Sequence, residues 1–353
     1  MKVVPRVSNW VLILGGGAGQ VPFIKAVKIL GYQACVIDRN LKAPGRLIAD
    51  EYWGLSTYDY EAIKKKITEH ASQLINIVAI IARVSGPALE TAAKLSDLLK
   101  VSGLNFELVR MCNSKSGTRD FCKENHIPVP SGTVYGKDDV PSDFDIKLGS
   151  CVVRPDYTLI GKQSISLCTS QPQLDNAIKS AALASANSKA DVAFYKEGRD
   201  ITTLFAIDGG KSHFLVAWEE INHFNTDGFS PGVLQPNALE APVNIDKSLT
   251  MKVEEFANII AKKYFKVVHL VAISWRLQSD NSLFLIEIHL DLTGDRILDE
   301  LLPGAFGCDV IKPITKWLIE KTPESLDCLV GFFKEKGMRK AIEINRSYNI
   351  END

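Results

Sequence analysis

The sequence predicts an α/β chain whose N-terminal third is a doubly wound parallel sheet. Three observations carry this. The apolar runs Trp10–Leu14, Ala34–Ile37 and Ile75–Ile81 read as strands buried on both faces. Stretches with apolar residues at helical spacing follow them. The first run ends in Gly15-Gly-Gly-Ala-Gly19-Gln20, a turn that suits the strand-to-helix junction of a βαβ unit.

The elements follow in order. Val21, Ile24, Val27 and Leu30 share one face of a helix that Gly31 stops. The amides of Gly15, Gly17 and Gly19 lie where such a sheet receives its ligand, which makes these glycines candidate substrate contacts. Asp38 ends the second strand, where a dinucleotide fold keeps its ribose-binding acid. Gln20 stands in place of the third glycine of G-x-G-x-x-G, so an NAD-dependent enzyme and a purely structural turn are both readings of this loop. Ser85-Gly86-Pro87 turns into a helix with Leu89, Ala92, Ala93, Leu95, Leu98 and Leu99 on its apolar positions. Asn113-Ser-Lys115-Ser-Gly-Thr-Arg119 opens another, which closes at Ile127-Pro-Val-Pro130. Further on, Glu287, His289 and Asp291 alternate with Ile288, Leu290 and Leu292. In a strand that spacing puts two carboxylates and an imidazole on one face. Carboxylate oxygens suit Mg²⁺, and the other reading of the pattern is a solvated strand face. The tail Glu320–Asp353 is expected to form a terminal strand or a helix pair, with about the last six residues disordered.

Composition narrows the function. A chain of 353 residues exceeds one ordinary core and predicts two or three domains. With 46% apolar and 24% charged residues it reads as soluble and globular, and a net charge of −1 argues against a nucleic-acid surface. No apolar run approaches the roughly 18 residues of a membrane span, and the N-terminus lacks a signal-peptide core. Seven scattered cysteines without a C-x-x-C read as reduced thiols, so the expected location is cytoplasmic. No G-x-S-x-G elbow and no local Cys–His pairing support a nucleophilic mechanism, and His269 reads as a partly buried structural histidine.

Over nearly its whole length, from about Trp10 to Lys316, the chain resembles the ATP-grasp superfamily of carboxylate–amine ligases. Asn113, Lys115 and Arg119 match the family's N-K-x-x-x-R helix, and Ile127-Pro-Val-Pro130 matches its G-I-P-V-P, with His126 at the glycine. The strand Cys151-Val-Val-Arg154 carries arginine where the family has lysine, and the following phosphate loop keeps one glycine, Gly161, and then Lys162. Gly198-Arg199-Asp200 matches the family's Gly-Arg-Glu, while Ala193 replaces the hinge acid. Glu287 matches the metal glutamate, with His289 for asparagine and Asp291 for arginine. Thirteen residues earlier, Ser274 stands where the first metal acid belongs.

The resemblance implies a pre-ATP-grasp α/β domain over residues 1–112. A two-lobed α+β ATP-grasp domain would follow, with lobes at 113–197 and 198–353. It implies ATP on Lys115, Arg154, Lys162, Tyr195 and Asp200, and Mg²⁺ (Mn²⁺ through an imidazole) on Glu287, His289 and Asp291. Arg276 and Arg296 would offset an acyl phosphate or a substrate carboxylate. The implied partners are a small carboxylic acid and an amine, and the implied assembly a homodimer. Two readings of the altered metal end stay open. Asp291 restores the lost charge with His289 beside it, or the protein is a catalytically silent nucleotide-binding or regulatory member.

Overall fold

The computed structural model describes residues 8–70, 75–139, 141, 144–157, 164–222, 232–233, 236–294, 296–334, 337 and 340–343. The chain opens with a parallel sheet of β1 (Ser8–Leu14), β2 (Gln33–Ile37), β3 (Glu51–Trp53) and β4 (Ile75–Ala82), in the order β3-β2-β1-β4. Val11 to Leu14 and Ala34 to Ile37 are wholly or almost wholly buried, as continuous apolar runs require. Helix α1 (Val21–Ile29) buries Phe23, Ile24, Ala26 and Val27. It is followed by α2 (Tyr60–His70) and by α3 (Pro87–Leu99), which Pro87 opens. Leu14 pairs with Ala82, so the turns leaving β1 and β4 are neighbours.

The helix expected to open at Asn113 opens two residues later, and a separate helix precedes it. α4 (Phe106–Asn113) ends there and α5 (Lys115–Glu124) begins two residues later. Ser114 separates them in an extended conformation and accepts the Gly117 amide at 3.0 Å, a side-chain cap that starts the second helix. His126, at the family's glycine position, is left-handed (φ 56°). The position therefore demands the conformation glycine adopts freely, and histidine tolerates it better than a β-branched residue would.

A five-stranded antiparallel sheet follows: β5 (Gly132–Gly136), β6 (Cys151–Pro155), β7 (Ser166–Cys168), β8 (Lys189–Phe194) and the short β11 (Gly232–Val233). With α6 (Gln171–Ala184) it closes a small core of its own around Val153, Leu174, Ile178 and Val192.

The third sheet has six antiparallel strands: β9 (Arg199–Asp208), β10 (Lys211–Asn222), β12 (Pro236–Ala241), β13 (His269–Leu277), β14 (Leu283–His289) and β15 (Lys340–Glu343). Their order is β14-β13-β9-β10-β12-β15. Ile201, Phe205, Val271, Ile273 and Trp275 bury one face with α7 (Lys247–Lys263), in a core that continues into Leu12, Leu14, Leu108 and Phe121. Leu204, Ala206, Leu270 and Ala272 bury much of the other face in a core shared with Phe23, Ile24, Leu298 and Trp317. After β14 the chain runs through a π-helical turn (Ile297–Leu301), α8 (Leu302–Phe306), α9 (Ile311–Glu320) and α10 (Pro323–Lys334) before β15. The tail is thus a helix and a strand. The final residues 344–353 lie outside the described residues. Among the described residues, no helix is long and apolar enough to cross a membrane.

Candidate active site

The polar end of one face of the third sheet carries the candidate site. Strand alternation places Thr202 on β9, Ser274 on β13 and Glu287 on β14 in one row across the ladders. Arg276 faces Asp200 in the next row, and His289 lies opposite Ala272. The serine found by counting back from Glu287 therefore stands directly across from it. Ser274 Oγ bonds Thr202 Oγ1 at 2.9 Å and His289 Nε2 at 3.2 Å, which links three strands.

Two cations from elsewhere approach Glu287. Lys115, at the start of α5 and 5% exposed, donates from Nζ to Glu287 Oε1 at 2.6 Å. Burial pushes the Glu287 carboxyl up, but Lys115, His289 and Arg154 together pull it down to about 2, so it is a carboxylate at neutral pH. Arg154, on β6, donates from Nε to Asp191 Oδ2 at 3.0 Å, and Arg119 pairs with the same carboxylate. Asp191 is fully buried and is the shared counter-ion of both guanidiniums. Burial lowers the Arg154 pKa, against the opposing pull of Glu287 and Asp156. Asp156 accepts the Ser116 amide at 2.7 Å and Asn187 Nδ2 at 2.6 Å, which fastens β6 to the first turn of α5.

Arg276 and Asp200 are each other's partners, Nε to Oδ1 at 2.6 Å. Arg276 also donates to the Lys196 carbonyl at 2.6 Å and lies 4.9 Å from the Tyr195 ring centroid. Read from sequence as a catalytic cation, Arg276 is placed instead to hold Asp200 and Tyr195. Both line a shallow cleft of about 180 Å³ with Gly198, Arg199, Glu219, Glu220 and Ile221. Gly198 is obligatory here, because a Cβ would come within 2.4 Å of the Leu277 carbonyl oxygen. Arg296, the other expected catalytic cation, is exposed and pairs with Glu300 one turn on.

The expected metal trio is only partly assembled. Glu287 and His289 share a face of β14, whereas Asp291 lies beyond the strand's end. Burial pushes the Asp291 carboxyl up, and its Oδ1 has no hydrogen-bond partner. Among the described residues, no three His, Cys, Asp or Glu side chains converge to hold a metal ion by themselves. The donors present still fit Mg²⁺, which is usually held by one or two carboxylates plus phosphate oxygens. An ionised Glu287 and the unpartnered Asp291 oxygen are of that type.

The glycine turn is closed by its own neighbours. Asp38 accepts the Gly16 amide and the Asn40 amide, both at 2.8 Å, so both carboxylate oxygens serve the loops. The Gln20 side chain folds back over the turn, and a Cβ on Gly15 would meet it at 3.1 Å. Neither arrangement favours a dinucleotide. Arg83, just past β4 and 7% exposed, escaped the sequence reading. Its five N–H groups reach the Gly19 carbonyl (2.8 Å), the Thr293 carbonyl (3.0 and 3.1 Å) and the Asp299 carboxylate (2.6 and 2.9 Å). It thereby ties the glycine turn to the segment after β14, where Leu292 and Thr293 are both left-handed. One signal was available, a lone cation ending an apolar strand before Ser85-Gly-Pro. Asp191 escaped too, its signal being an acid inside the run Ala190–Phe194. Lys162, expected on the phosphates, lies outside the described residues.

No family model and no curated protein matches the sequence. Solved structures do match its fold. L-amino acid ligase from Bacillus licheniformis is 16% identical, with 90% of this chain and 75% of that one covered and a TM-score of 0.70. Phosphoribosylglycinamide synthetase from Anaerococcus prevotii is 18% identical, with coverage of 95% and 80% and a TM-score of 0.66. The biotin carboxylase domain dimer of 2-oxoglutarate carboxylase from Hydrogenobacter thermophilus, in complex with MgADP, ADP and bicarbonate, is 17% identical, with coverage of 88% and 68% and a TM-score of 0.66.

Proposed function

With the ATP-grasp fold as premise, we propose that this protein is an ATP-dependent ligase that activates a small carboxylate for attack by an amine. One observation carries the reading. Lys115 and Glu287, 172 residues apart, meet at 2.6 Å beside Arg154, on the sheet face that also holds Asp200. A phosphate site and a metal carboxylate would be adjacent in this way. Each group compensates the other, so that each can pass to a ligand of opposite sign without leaving an uncompensated ion.

In this reading Lys115 and Arg154 neutralise the phosphates, with Lys162 added by resemblance. Asp200, held by Arg276, takes the ribose hydroxyls, and Tyr195 flanks the base. Glu287, aided by Asp291, would hold Mg²⁺, and His289 stays bonded to Ser274. Bound Mg²⁺ would supply charge neutralisation on the phosphate oxygens. The glycine turn and Arg296 are left to the acid and amine. The acid's carboxylate oxygen attacks the γ-phosphorus and ADP leaves. The amine nitrogen then attacks the acyl carbon and phosphate departs. The chain's contribution is positioning and charge, as in other phosphoryl transfers.

Glu287→Gln is expected to abolish acid-dependent ADP release at least about 100-fold, since it removes a charged group at the phosphates. Unchanged release would sink the metal assignment. A second reading, a nucleotide-binding protein without turnover, is favoured by Ser274 opposite Glu287. Calorimetry with Mg·ATP followed by an ADP-release screen over acids and amines separates the two. Binding without release across the panel supports the silent protein.

A further inference from the structure

We propose that Cys151 and Cys168 are an oxidisable dithiol that closes to a cross-strand disulfide when a hydroperoxide reaches the β6–β7 ladder. The two residues are direct antiparallel partners. Both are fully buried, and both belong to the small core of the second sheet. Directly opposed residues in an antiparallel pair have Cα atoms about 4.5 or 5.5 Å apart. A disulfide spans Cα separations of about 4.4–6.8 Å, so the ladder already brings the sulfurs within reach. No other register pair among the described residues joins two cysteines.

The neighbouring Cys151 thiol lowers the Cys168 pKa against the opposing effect of burial. The Cys168 sulfur and burial together push Cys151 up. Cys168 is therefore the thiol that ionises first and attacks. Its thiolate bonds to one peroxide oxygen, the O–O bond breaks, and the departing oxygen takes a proton. Cys168 is left as a sulfenic acid. The Cys151 sulfur then attacks the Cys168 sulfur. The S–S bond forms, the S–O bond breaks, and hydroxide leaves with the Cys151 proton as water. Two thiols lose two electrons, and hydrogen peroxide becomes two waters. The bond would anchor β6 from its core side, while Arg154 projects from the same strand's other face. The inference is independent of the ligase reading.

The test is peptide mapping of the full chain after hydrogen peroxide treatment under native conditions, with free thiols blocked after denaturation. The expected product is a Cys151–Cys168 linked peptide lighter by two hydrogens, about 2 Da, and separated again by dithiothreitol. Cys168→Ala and Cys151→Ala should each abolish it. The exposed Cys308 and Cys328 report that the oxidant acted. If these are oxidised while Cys151 and Cys168 are both recovered as blocked thiols, the proposal is overturned. A link that forms only in unfolded protein overturns it as well.

Discussion

Asp191 holds two guanidiniums from inside the protein with no exposed surface of its own. Neutralising it as Asp191→Asn leaves Arg119 and Arg154 without their shared charge, at an expected cost of about 3–5 kcal/mol. A urea unfolding midpoint equal to that of the parent would refute the assignment. His269 behaves oppositely, because it is buried uncharged. Burial lowers its pKa to about 4 from an ordinary 6.5, while its Nε2 bonds the Leu290 carbonyl at 2.9 Å. The unfolded chain therefore takes up a proton that the folded one refuses. The stability His269 contributes is present above about pH 6.5 and is lost as pH falls towards 4, by roughly 2–3 kcal/mol. His269→Gln should flatten the stability–pH slope between 4 and 6.5, measured by denaturant midpoints across that range.

At the scale of elements, the site depends on contacts between segments distant in sequence. Arg83 follows the last strand of the first sheet yet bonds the carbonyl of Thr293, 210 residues away. The left-handed Leu292 and Thr293 are costly conformations that persist where neighbours enforce them. Arg83→Lys keeps the charge but not the planar fork. Losing charge-assisted bonds worth roughly 1.5–3 kcal/mol should raise amide exchange in residues 15–20 and 292–297 by about 10- to 100-fold. Native-state hydrogen exchange of the variant would measure it. Unchanged protection in both segments would mean that the turn is held by something else. Strand pairing acts at the same scale. The β13–β14 register sets Ser274 against Glu287, and β9 adds Thr202. The site's donors are thus spaced by strand geometry, while its cations arrive from α5 and β6.

Across the whole molecule, two large cores run between the first and third sheets, whereas the second sheet has a small core of its own. We propose that the second sheet with α6 is the least stable unit, since little apolar surface holds it together. In the parent protein, amides of β6 and β8 should exchange faster than those of β9 and β13. Equal protection throughout would make the chain one cooperative unit. The same arrangement argues against a free-standing fragment of residues 1–112. Leu12 and Leu14 there share a core with Phe205 and Trp275, and losing that cover would expose them.

Periodicity alone led to β1, β2 and β4 of the parallel sheet, to α1 and α3, and to the face of β14 that carries Glu287 and His289, because burial imprints spacings of 2 and 3.6 on local sequence; β3 and α2 were not legible in it. The motif order likewise led to the ATP-grasp fold, and the count from Glu287 found Ser274. Only the tertiary structure decided the pairings. It joined Lys115 to Glu287, gave Asp200 to Arg276, set Arg154 and Arg119 on one buried aspartate, and brought Arg83 to the glycine turn. Asp38, which a local reading offers to a ribose, instead accepts two loop amides. Such pairings depend on distances between segments that folding alone brings together, and no local periodicity encodes them.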